Sequence, residues 1–188
     1  SSDLADGSDR GGNSCDEVLP WNVYNKDRKI SGIGRVKAIQ ILCLCELSKR
    51  MSQLSAREDL DFSRPDTIAA YYMEQLRHQE QEIMICMMLD NQNHLLGDTM
   101  LSKGTVNATL ITPREVYLEA LRYHAVNLIL IHNHPGGNPA PSKCDKEITE
   151  RICQAGEMLG INLLDHIIIG DHRYISFREE GLMGAYPE

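Results

Sequence analysis

An apolar run from Asn127 to Ile131 leads without a break into His132-Asn133-His134-Pro135-Gly136-Gly137. Few folds accommodate that order. A short apolar run bounded by turn residues reads as a buried strand. On such a strand, residues two apart project to the same side, so His132 and His134 share one side at its end. Pro135 to Pro141 is a loop by composition. Ser142 then stands where a helix N-cap belongs, ahead of a helix over Lys143–Leu159. Asp145 falls in the first turn of that helix and faces back to the loop. Two imidazoles and one carboxylate give three ligands and leave a fourth position for water, the open coordination of a catalytic zinc site.

The spacing His-x-His, seven residues, Ser-x-x-Asp resembles the JAMM (MPN-plus) metalloprotease motif. The local wording, HNHPGG then PSKCD and a later Thr149, is closest to the bacterial RadC family. Gly104-Thr105, Pro113-Arg114-Glu115-Val116 and Ala120-Leu121 extend the resemblance upstream. Leu164-Asp165-His166, Gly170 and Ser176-Phe177-Arg178-Glu179 extend it downstream. Competing zinc patterns, HExxH and the PCxxC of deaminases, are absent from the sequence.

The resemblance implies a cytidine-deaminase-like JAMM/MPN-plus domain binding one zinc ion per chain and hydrolysing a peptide or isopeptide bond of a protein or peptide substrate. It implies a glutamate just before the strand Ile83–Leu89. Glu82 abuts that run and is the expected general base; Glu80, two residues away, would point to the same side. Ser142 is the expected hydroxyl donor to the oxyanion. Asp165 and His166 lie inside a strand, and a supporting or core role is expected because the ligand set is already full.

The remaining pattern alternates strands and helices. Helix signals cover Asp66 or Thr67 to about His78, with apolar positions 68, 69, 72, 73 and 76. Strands are expected at Ile83–Leu89 and His94–Met100 around the turn Asp90–Asn93. Pro113–Tyr123 reads as a helix capped by Thr112, with Val116, Leu118, Ala120 and Leu121 mostly facing a sheet. In the helix Lys143–Leu159 the apolar side is read as Ile152, Cys153, Ala155, Met158 and Leu159, and Gly160 ends it. Asn162–Ile169 and Arg173–Phe177 form a hairpin around Gly170-Asp171. The fold class is therefore α/β, a mixed sheet with helices on its faces, preceded by a small helical segment.

The net charge is −8, unevenly spread. From Asn22 to Arg50 seven bases face two acids, leaving the remainder at −13. An acidic body is a poor general binder of nucleic acid. The basic segment contains Gly32-Ile33-Gly34-Arg35-Val36-Lys37 ahead of a helix to about Arg50. It resembles the hairpin of a helix-hairpin-helix element, of the kind RadC-like proteins carry, though Leu19–Asn25 makes an unconvincing preceding helix. Such a hairpin offers backbone N–H groups to DNA phosphate. The alternative function is thus a DNA-binding accessory protein of repair or recombination with a structural metal. Its expected contacts are Gly32, Gly34, Arg35 and Lys37.

The expected organisation is residues 1–21 disordered or an added remnant, 22–50 a partial helix-hairpin-helix-like segment, 51–65 a polar linker and 66–188 the catalytic domain. No run of about 18 apolar residues marks a membrane span. The start lacks the basic and apolar regions of a secretory signal. Six cysteines without a disulfide-like framework suit a reducing cytoplasm.

Overall fold

A computed structural model describes residues 35–58, 60–104 and 111–183. The chain divides into two compact units, Ser1–Glu46 and Leu47–Glu188, and the division falls inside the first helix, α1 (Arg35–Glu58). This helix runs past Arg50, so Met51–Glu58, read as linker from its polar composition, is helical. Polarity does not oppose a helix: Met, Gln, Leu, Ala, Arg and Glu are all good helix formers.

The second unit is built on a mixed sheet of five strands: β1 (Ile83–Leu89), β2 (Leu95–Lys103), β3 (Asn127–Asn133), β4 (Asn162–Ile169) and β5 (Tyr174–Ser176). The spatial order is β2-β1-β3-β4-β5, with β3 and β4 parallel and every other pair antiparallel. β1 and β3 are buried along their whole length, which is why they read as unbroken apolar runs. β2 lies at the edge and is largely exposed. It ends three residues beyond the expected Met100, because its pairing with β1 continues until Lys103 meets Ile83.

Helices cover both faces. α2 (Pro65–Leu76) packs Ile68, Ala69, Tyr72 and Leu76 against Ile85, Met87, Ile129 and Ile167 on one face. Pro65 opens α2 rather than closing a linker; at the first helical position its missing N–H costs nothing. α3 (Pro113–Arg122) and α4 (Lys143–Leu159) cover the other face, which carries Cys86, Met88, Leu128 and Leu130.

The buried sides of α3 and α4 differ from the apolar pattern. α3 buries Val116, Tyr117 and Ala120 and leaves Leu118 and Leu121 exposed. α4 buries Ile148, Thr149, Ile152 and Gly156 and exposes Met158 and Leu159. The Tyr117 hydroxyl donates to the Ile152 carbonyl at 2.7 Å, so the ring can be buried with its polar end satisfied.

β3, α4 and β4 form a parallel crossover unit. In open α/β sheets, ligands gather at the carboxyl ends of the strands, here where β3 delivers His132. Because β1 runs antiparallel to β3, the start of β1 lies at that same end, with Met84 opposite His132.

Gly170, just past β4, seats the loop that follows. A Cβ there would lie 2.5 Å from the Gly137 carbonyl oxygen and 2.6 Å from Pro139 Cδ. Asp171 N–H also donates to that Gly137 oxygen at 2.9 Å. Gly170→Ala is therefore expected to lower stability by about 1–3 kcal/mol, the usual cost of overpacking, measured by the denaturant midpoint.

Among the described residues, no helix is long and apolar enough to cross a membrane.

Candidate metal centre

Strand end, loop and helix start converge on one point. Glu82, His132, His134 and Asp145 each offer a ligand atom, and these atoms all lie within 4.8 Å of one another. His132 Nε2 is 3.0 Å from His134 Nε2, 3.4 Å from Asp145 Oδ1 and 3.6 Å from Glu82 Oε1. His134 Nε2 is 3.4 Å from Asp145 Oδ2. A tetrahedral zinc with arms of about 2.0–2.1 Å needs ligand separations of about 3.3–3.4 Å. Each imidazole stands at that span from one Asp145 oxygen, and the two imidazole nitrogens are a few tenths of an ångström closer, so the three side chains fit the group with a slight spreading of the rings.

Local sequence explains the placing of Asp145. Ser142 caps α4: its Oγ accepts from Asp145 N–H at 3.2 Å, and its own N–H donates to Asp145 Oδ2 at 2.7 Å. This reciprocal capping box fixes the carboxylate, which is almost fully buried. Burial alone would push its carboxyl up, but the facing His132 and His134 rings outweigh that and hold it well below the usual carboxylate range. The Asp145 carboxylate in turn raises the His134 imidazole, against the pull of burial. His134 Nδ1 lies 2.8 Å from the Asn138 carbonyl, which can only accept, so Nδ1 carries a proton and Nε2 is the nitrogen turned to the group.

Glu82 is held by backbone and by a residue whose role the sequence did not disclose. Its carbonyl accepts from Gly104 N–H at 3.0 Å. Asn133, fully buried between the two histidines, accepts from Ile83 N–H at 2.8 Å and donates from Nδ2 to the Gln81 carbonyl at 3.1 Å. It thus grips the residues on either side of Glu82. Glu80 is exposed and outside the group.

His166 is the second such residue. Its Nε2 lies 2.8 Å from His132 Nδ1, and its Nδ1 lies 2.6 Å from Thr149 Oγ1. The ring stacks on Phe177, centroids 4.8 Å apart. Complete burial drives its imidazole well below the ordinary value. Asp165 beside it accepts from Ser176 Oγ at 2.6 Å and Arg178 N–H at 3.0 Å, tying β4 to the turn after β5. Burial nevertheless raises its carboxyl.

Of the expected DNA contacts, Gly32 and Gly34 lie outside the described residues. Arg35 opens α1, and Lys37 is exposed on it.

A mixed five-stranded sheet, helices on both faces, and an HxH pair with acidic partners at the end of the central strand define the JAB (MPN) class of domain. Within that class a family model described as RadC-like JAB domain matches residues 62–182. The chain belongs to the RadC-like JAB domain family.

A UPF0758 protein of Bacillus licheniformis is 42% identical over 154 residues, covering 82% of this chain and 69% of that protein. UPF0758 proteins of Bacillus cereus and Bacillus anthracis are 40% identical over 152 residues, covering 81% of this chain and 68% of theirs.

Proposed function

We propose that the protein is a zinc-dependent hydrolase that cleaves a peptide or isopeptide bond. The observation that carries this reading is the convergence of Glu82, His132, His134 and Asp145 at one strand end of a RadC-like JAB domain. His132, His134 and Asp145 would hold the ion. An imidazole-rich set with one carboxylate favours zinc over magnesium or calcium. Bound zinc supplies Lewis acidity, lowering the pKa of water to about 7 and polarising a carbonyl.

The chain's own residues supply the rest. Glu82 has a partly exposed side chain beside the three ligands. There it accepts the proton of the attacking water and passes it to the leaving amine. The Ser142 Oγ accepts from Asp145 N–H, and its hydroxyl, which lies against the Asp145 carboxylate, would turn to donate to the oxyanion. The loop from Pro135 to Pro141 borders the site through the Asn138 carbonyl.

The test is metal content of protein purified without added metal, followed by hydrolysis of linear and isopeptide-linked substrates. About one zinc per chain with cleavage supports the reading; a metal-free, inactive protein ends it. Salt-titrated DNA binding would then test the basic segment, where Lys37 and Arg35 are the residues to replace.

Asn133→Ala separates positioning from ligation. It leaves Ile83 N–H and the Gln81 carbonyl without their buried partner, at a cost of about 1–3 kcal/mol each. Turnover is expected to fall further than zinc affinity, since a 1 Å misplacement of a catalytic group can cost about 100-fold. Paired measurement of kcat and of zinc dissociation reads the difference.

A further inference from the structure

The two histidines of the HxH pair reach the same protonation pattern by different routes. His134 needs one contact, its Nδ1–H on the Asn138 carbonyl. His132 Nδ1 has, among the described residues, a second ring rather than a carbonyl as its hydrogen-bond partner. Its neighbour there is His166, which could in principle donate or accept.

The ambiguity is resolved two bonds further on. Thr149 Oγ1 is 2.6 Å from the Asp145 backbone carbonyl and 2.6 Å from His166 Nδ1. The hydroxyl has one proton, and a carbonyl can only accept. Thr149 therefore donates to Asp145 O and must accept from His166, which places the His166 proton on Nδ1. The His166 ring is fully buried against Phe177, with Thr149 and His132 as its hydrogen-bond partners and, among the described residues, no carboxylate in contact, so it is neutral and presents a bare Nε2 to His132. His132 must then carry a proton on Nδ1, and Nε2 is its nitrogen toward Glu82, His134 and Asp145. The opposite polarity would give the Thr149 hydroxyl two acceptors, Asp145 O and His166 Nδ1, and only one proton to donate.

His166 reaches this position only through a break in the sheet. Leu128 pairs with Leu163, but Ile129 pairs with Asp165, so Leu164 is an extra residue in β4. Strict alternation from the inward Leu163 would turn residue 166 to the α2 face. The extra residue returns His166 to the side of Leu130 and His132.

We propose that Thr149 and His166 are positioning residues that lock His132 as the Nδ1–H tautomer and so preset its Nε2 as a metal ligand. Asp145 then serves twice, as a carboxylate ligand and, through its carbonyl, as the group that sets the direction of the relay. The proposal concerns a ligand of the zinc site suggested above, yet its first readout needs no metal.

The experiment is nitrogen-15 NMR of the imidazoles in the metal-free protein, beside zinc affinity by chelator competition, for the unaltered chain, Thr149→Val and Thr149→Ser. The unaltered chain is expected to show His132 with a pyrrole-type Nδ1. Thr149→Val, which keeps the shape and removes the hydroxyl, should shift His132 toward the Nε2–H form. It should also weaken zinc about 10–100-fold, the usual effect of losing an outer partner. Thr149→Ser should restore both. A purely structural Thr149 would move neither tautomer nor affinity in Thr149→Val, and that result overturns the proposal. So does a pyridine-type Nδ1 at His132 in the unaltered chain. A chain that takes up no zinc yet shows the Nδ1–H signature, lost in Thr149→Val, upholds the relay while rejecting the zinc hydrolase reading.

Discussion

Asp145→Ala is expected to empty the metal centre. Asp145 contributes the negative charge that faces both imidazoles, and alanine supplies neither that charge nor an oxygen ligand. Zinc affinity should fall by more than the about 10–100-fold that loss of an outer partner costs. The same substitution removes the carboxylate that accepts from Ser142 N–H at 2.7 Å, so the first turn of α4 loses half of its capping box. Caps are worth about 0.5–2 kcal/mol, and a lower melting temperature should accompany the loss of metal. Asp145→Asn separates the two effects. An amide oxygen can still accept from Ser142 N–H, but it brings no charge to the site. Elemental analysis and thermal unfolding of both variants should show zinc lost in each and stability lost chiefly in alanine. Full zinc occupancy in either would remove Asp145 from the ligand set.

Glu82→Gln is expected to do the reverse, keeping the zinc and losing turnover by about 100- to 10,000-fold, the range for removal of a general base. The geometry separates Glu82 from the other three residues. Its Oε1 is 3.6 Å from His132 Nε2, farther than the 3.4 Å of Asp145 Oδ1, and its side chain is 22% exposed where that of Asp145 is 2% exposed. It is thus open to an incoming substrate while its backbone is held on three sides by Gly104, Asn133 and the start of β1. Glutamine preserves shape and polarity but cannot take a proton. Unchanged hydrolysis would dismiss Glu82 as the base. Loss of zinc together with turnover would make it a fourth ligand instead.

The parts of this molecule that were legible in the sequence are those set by short-range rules. The helix Lys143–Leu159 has both expected ends, because Ser142 with Asp145 and then Gly160 at φ 67° are local signals. The strands Ile83–Leu89 and Asn162–Ile169 also stand where their apolar runs place them. Where the reading went astray, a longer-range choice intervened. Leu118 and Leu121 looked like core, yet Tyr117 took the buried position because the Ile152 carbonyl of α4 lay ready for its hydroxyl. β2 outran its apolar stretch because β1 offered it partners as far as Ile83.

The sequence by itself therefore determined the spacing of His132, His134 and Asp145, since strand alternation and a helix cap act over a few residues. Only the tertiary structure decided which carboxylate joins them, because Glu82 is brought in by the antiparallel pairing of β1 with β3. It also decided that Asn133 would grip the chain on either side of Glu82. Above all it decided that His166 faces the site. The periodicity of β4 alone points that ring to the opposite face, and the extra residue that turns it back exists only in the pairing of β4 with β3.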